Sequence, residues 1–115
     1  MALVSPAQAS GGLFCEGEGG SADIAMGRLV VMQVLGASVE IGGITYSTGP
    51  ERGEGEPFAV GQAFAEGDDI MVDFVDPNFE DIIVSLRVRF DRATESFVGV
   101  LRSQTMQVDV TCMEG

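Results

Sequence analysis

Residues 82–90 read IIVSLRVRF. Ile82, Val84, Leu86, Val88 and Phe90 place an apolar side chain on every even position, while Ser85, Arg87 and Arg89 take the other face. That is the period of a strand with one side on a core. The β-branched and aromatic content suits pleated backbone. A polar break at Asp91, Arg92, Ala93 and Thr94 precedes ESFVGVLR, which predicts an antiparallel hairpin with a four-residue loop. In this register Val88 faces Phe97, Leu86 faces Gly99 and Val84 faces Leu101 on the core side, with Gly99 leaving room for Leu86. The reverse side pairs Arg89 with Ser96, Arg87 with Val98 and Ser85 with Val100, and it is more apolar than a wetted wall requires.

Upstream, Ile70, Val72 and Phe74 alternate inward after an acidic turn at Glu66, Gly67, Asp68 and Asp69. Before that, residues 58–65 read as a strand with Phe58, Val60 and Phe64 on one side. TGPERGEGEP (48–57) is the longest loop, expected to be exposed and mobile. Residues 37–41 and 44–47 flank Gly42-Gly43 as a hairpin, with Gly36 breaking the preceding run. RLVVMQVL (28–35) is apolar on both faces and suits a covered strand; a helix capped at Asp23 is the alternative, against which Gly27 and the valines count. A short strand over 22–26, the LFC around Cys15 and the alternation Met106, Val108, Val110, Cys112 complete the pattern. The fold class is all-β: a small antiparallel barrel or flattened sandwich of about eight short strands, mostly in meander order.

The 115 residues make one domain with a core of useful size. Residues 1–10 read as a remnant of a signal peptide or a disordered N-terminus, because Ala7-Gln8-Ala9 has the small-x-small pattern of a cleavage site after Pro6; residues 11–115 are the β-domain. No run approaches the roughly 20 apolar residues of a spanning helix, so no membrane insertion is expected. Cys15 and Cys112, near the two ends, predict a disulfide closing nearly the whole chain, and with it a periplasmic or secreted location. Two buried free thiols in a cytosolic protein are the other reading. Redox catalysis is not indicated, since the spacing is far from C-x-x-C and no basic residue adjoins either thiol.

Eighteen acidic residues against six arginines give a formal charge of −12, which disfavours nucleic acid and anionic membranes and favours a basic protein as any partner. Residues 1–81 hold fourteen acidic and two basic side chains; residues 82–115 hold four of each. Arg87, Arg89, Arg92 and Arg102 therefore cluster on the hairpin, either neutralising carboxylates on adjacent strands or forming an anion patch.

Histidine and lysine are absent, which removes Ser-His-Asp and Cys-His nucleophiles and lysine bases within one chain. What remains for an enzyme is a carboxylate pair drawn from acids such as Glu16, Asp68, Asp73 or Glu80, the basis of a hydrolase reading. Asp76, Asn78 and Glu80 have the alternate oxygens of a calcium loop, but Asp81 replaces the needed glycine and Arg87 the bidentate glutamate; a looser site from Asp68, Asp69, Asp73 or Asp76 is the residual form. The glycine sets at 17–20 and 53–55 lie among glutamates that repel phosphate and read as loops. Neither a metal nor an organic cofactor is expected, and the chain reads as non-enzymatic.

Phe14-x-Cys near the start and Val110-x-Cys near the end resemble the small periplasmic inhibitors of C-type lysozyme. The resemblance implies a basic enzyme as partner, met by an acidic domain through electrostatic steering. Their Ser-Gly-x-x-Tyr signal has no counterpart, since Tyr46 is followed by Ser47, Thr48 and Gly49, so no residue role is transferred. The reading of the whole chain is an exported acidic domain with a non-catalytic binding or accessory role. A periplasmic inhibitor of a basic enzyme, a homo-oligomeric structural protein and a carboxylate-dependent hydrolase are the alternatives. The expected interaction surface comprises Ile83, Arg87, Val98, Val100 and Arg102 on the hairpin and Glu51, Glu54 and Glu56 in the long loop.

Overall fold

The computed structural model describes residues 10–28 and 32–115. Most of the presumed signal remnant, residues 1–9, and the middle of the 28–35 run, residues 29–31, lie outside the described residues. Ten strands follow in chain order: β1 (Ser10–Gly17), β2 (Gly20–Arg28), β3 (Met32–Ile41), β4 (Ile44–Ser47), β5 (Glu56–Pro57), β6 (Ala59–Glu66), β7 (Asp69–Val75), β8 (Ile82–Asp91), β9 (Ser96–Ser103) and β10 (Gln107–Glu114). They form one sheet in the order β5-β4-β3-β2-β1-β10-β9-β8-β7-β6, antiparallel except for the parallel β4–β5 contact. Its two ends curl together so that β3 and β6 approach each other, giving a nearly closed barrel instead of a two-sheet sandwich.

The alternation that marks each strand also builds the core. Leu13 and Cys15, Ile24 and Met26, Val39 and Ile41, Ile70, Val72 and Phe74, Val84, Leu86 and Val88, and Val108, Val110 and Cys112 all point into one cluster. Strand propensity and burial agree along all of these segments, so the helix alternative for β2 and β3 is excluded.

Ten strands replace the expected eight or so, and they differ from the expected segments in two places. Gly36 does not break the 28–35 run: β3 continues through it, because Leu35 is the extra residue of a bulge opposite Ala25 and Met26 and takes up the irregularity. The long loop meanwhile contributes the two-residue β5. That loop is held in place. The Thr48 N–H donates to the Ala37 carbonyl and the Thr48 hydroxyl accepts from the Ala37 N–H, both at 3.0 Å, and Pro50–Arg52 form a single 3-10 turn.

The β8–β9 hairpin keeps its predicted faces with a register displaced by two. Leu86 faces Leu101, Val88 faces Gly99, and Phe90 faces Phe97. Asp91 is the last paired residue, its carboxylate accepts from the Ala93 N–H at 3.0 Å, and Glu95 adopts φ 56°, so the four-residue loop is Arg92 to Glu95, one position later than expected. A Cβ on Gly99 would collide with the Arg87 carbonyl and the Val88 backbone, so the two strands require glycine there. Two more bulges redirect side chains. Gly61 is the extra residue of β6, which turns Ala63 inward and leaves Phe64 exposed, contrary to the uninterrupted alternation. Ile83 is the extra residue of β8, which leaves Ile82 exposed and packs Ile83 on the core.

β1 and β10, the first and last described strands, meet in the middle of the sheet. β1 pairs with β10, Gly12 and Gly115 exchange both backbone bonds, and three residues further along Cys15 faces Cys112 at a non-hydrogen-bonded position with Cα atoms 3.9 Å apart. The two are joined by a disulfide, which suits an oxidising compartment. The discontinuity of the barrel lies elsewhere, between β6 and the β3–β5 end. There the Phe58 N–H donates to the Ser47 carbonyl at 3.2 Å, and Tyr46, Phe58 and Phe74 stack with centroid separations of 5.5 and 4.4 Å. Replacing both cysteines with alanine, which releases a link spanning 97 residues, is expected to lower unfolding free energy by about 4 kcal/mol, read as an earlier urea midpoint.

Candidate interaction surface

Register fixes what lies side by side on the outer wall of β6 to β9. One row is Gln62, Asp73, Ser85 and Arg102; the next is Phe64, Met71, Arg87 and Val100; the third is Glu66, Asp69, Arg89 and Val98. Asp73 is buried although it faces outward, because the long side chains beside it cover it. Arg87 donates to both carboxylate oxygens, at 2.8 and 3.2 Å, and the Gln62 amide donates at 2.6 Å. Burial pushes the Asp73 carboxyl up, but hydrogen bonds from Arg87, Gln62 and Ser85 and the guanidinium charge outweigh it and hold the group below its ordinary value. Arg89 reaches Asp69 at 2.9 Å and Arg92 reaches Asp68 at 3.3 Å. Of the two readings of the arginine cluster, neutralisation of neighbouring strands describes these three. Arg102 instead donates to the Gln107 side-chain oxygen, at 2.8 and 3.2 Å.

The expected surface residues divide into separate places. Val98 is 39% exposed and, with Met71, Arg87 and Arg89, lines a shallow groove of about 310 Å³; Val100 is half-buried in the adjoining row. Ile83 has left this wall for the core margin through its bulge. Glu51, Glu54 and Glu56 are exposed on the segment leading to β5, at the opposite end of the strand order from β6.

The carboxylates considered for catalysis are not brought together. Asp68 precedes β7 and Glu80 follows it, so a seven-residue strand, roughly 20 Å long, separates them. Asp73 is engaged midway along the wall, and Glu16 sits on β1 in register with Thr111 and Ser21. Asp68, Asp69 and Asp73, three of the four oxygen donors considered for calcium, each hold an arginine. Among the described residues no three such side chains are placed to hold a metal. Glu16, Glu18 and Glu40 line an open, glycine-walled cleft of about 630 Å³ at the barrel end that carries the β1–β2 and β3–β4 turns.

That same end carries the β7–β8 turn and a feature the alternation could not reveal. Phe79 is 63% exposed and has φ 60°, in the left-handed region. Asp76-Pro77-Asn78 does mark a turn in the sequence, but which residue takes the left-handed conformation depends on how the loop closes. Asp76 closes it: its carbonyl accepts from the Phe79 N–H, its carboxylate accepts from the Glu80 N–H, both at 2.9 Å, and its own N–H donates to Asp81.

No protein-family model matches the chain, and no curated protein or solved structure matches it. The surface must therefore be read from its own chemistry.

The Asp73 cluster sets a pH dependence. Its folded-state pKa lies below the unfolded one, so its contribution is present above the ordinary carboxylate value of 3.8 and is lost as pH falls through the depressed folded value. Asp73→Asn is expected to cost about 1 kcal/mol near pH 7, a figure discounted because Arg87 is 44% exposed and screened by solvent. In denaturant titrations the gap between variant and wild type should narrow below about pH 4.

Proposed function

We propose that the chain is an exported, non-catalytic binding or accessory domain whose partner is a basic protein. The observation that carries the reading is the fate of Asp73, the one buried carboxylate among the described residues. It is bound by Arg87, Gln62 and Ser85 and held ionised, which is structural work and the reverse of the raised pKa a general acid needs. The barrel interior is filled by apolar side chains, so the surface carries the activity. Most of the acidic residues lie outside the three arginine pairs and give that surface its sign. The disulfide supports a periplasmic or secreted setting.

Inhibition of a basic extracellular enzyme such as C-type lysozyme is the specific form suggested by the resemblance and by the acidic end of the barrel. Self-association through the Val98 groove is the competing reading, favoured by Met71 and Val98 lying together on an open wall. Calorimetry against purified basic extracellular proteins at about 0.15 M salt is expected to show micromolar or tighter binding that weakens as salt rises. No binding, together with a dimeric mass in sedimentation, would replace this proposal with the self-association reading.

A further inference from the structure

We infer that Phe79 is the apolar anchor with which the acidic end of the barrel docks a basic protein, an inference that rests on reading the chain as a binding domain for such partners. A left-handed backbone crowds the Cβ of any L-residue, and glycine or asparagine relieves that crowding. Phenylalanine is therefore a poor choice for this position, and 63% of it stands in water. Phe14 and Phe64 are also exposed, but both lie on strands that favour aromatic residues. Glu95, the other left-handed non-glycine among the described residues, is polar and needs no burial. Phe79 alone combines an unfavourable conformation with an exposed aromatic ring.

The turn that presents it is fixed in advance. Asp76 ties together Phe79, Glu80 and Asp81, and the Gln104 side chain donates to the Ile82 carbonyl at 3.1 Å, bracing the start of β8 against the β9–β10 turn. Little ordering is left to occur on binding. Asp76, Glu80 and Asp81 neighbour Phe79 along the turn, with the exposed Ile82 following them. At the same end Glu16, Glu18 and Glu40 line the open cleft, whereas Arg89 and Arg92 are paired with Asp69 and Asp68 at the opposite end. A central aromatic residue inside a charged rim is the usual anatomy of a binding hot spot. The complementary surface is an apolar pocket bordered by lysine or arginine.

The test compares wild type, Phe79→Asn and, as a control exposed on the outer wall of β1, Phe14→Ser. Each is titrated with C-type lysozyme, a pancreatic-type ribonuclease and poly-lysine, and its melting temperature is recorded. Wild type is expected to bind at least one of the two proteins more tightly than poly-lysine. Phe79→Asn should weaken that binding by about tenfold or more, with a melting temperature equal to or above wild type, and Phe14→Ser should leave it unchanged. If wild type binds and Phe79→Asn weakens binding by less than about tenfold, or Phe14→Ser weakens it equally, the anchor is wrong while the binding-domain reading stands. Poly-lysine binding as tight as either protein would mean charge alone acts, and a lower melting temperature for Phe79→Asn would mean the ring serves the fold; either overturns the inference. Failure of wild type to bind either protein would remove both this inference and its premise.

Discussion

A sheet whose whole inner face is apolar has to close on itself, and in this barrel the closing contact is aromatic. Between the β3–β5 end and β6 no ladder of backbone bonds joins the described residues. Tyr46, Phe58 and Phe74 stack across that gap, and the Phe58 N–H reaches the Ser47 carbonyl. Ring stacking and apolar burial thus take the place of hydrogen bonds at the seam. If the gap opened, Ile70, Val72 and Phe74 would lose their cover on one side, and the curvature that brings ten strands around one core would have nothing to maintain it. The parallel two-residue β5 follows from the same constraint, since it places Phe58 between Tyr46 and Phe74.

On the outside, charge is arranged by strand register. Arg87, Arg89 and Arg92 each have an aspartate within reach across a strand or turn, so the wall of β7 and β8 is internally neutralised. These three arginines follow the first of the two readings open in sequence, neutralisation of neighbouring carboxylates, and not the anion patch. The acidic turns at the end that carries Phe79 have no arginine pair among the described residues; Arg102, beside the β9–β10 turn there, donates to Gln107 instead.

The strands themselves were legible because simple alternation matches burial at Val84, Leu86 and Val88 and again at Val108, Val110 and Cys112. The cysteine pairing was legible from position alone. What could not be read were the insertions that break parity: Leu35, Gly61 and Ile83 each shift the pleat by one residue, and each shift misplaced a neighbour. Phe64 moved outward and Ile83 inward for this reason. The hairpin register erred by two residues because Asp91 and Glu95 fit the turn through backbone conformation, which composition does not encode. An even error preserves faces, so the core survived it while the partners changed. Phe79 was unreadable on different grounds, as its conformation follows from Asp76 closing a loop around it.

The pairing of β1 with β10 also orders events in time. Synthesis runs from the N-terminal side, so β1 is made before the other described strands. Its inner edge has no partner until residues 111–114 arrive. The β1–β4 meander can assemble early, but it must wait with an open margin for nearly the whole length of the polypeptide, and Cys15 waits as a thiol with it. β10 is therefore the strand that both completes the sheet and makes oxidation of Cys15 by its proper partner feasible, so covalent locking follows the arrival of residues 111–114.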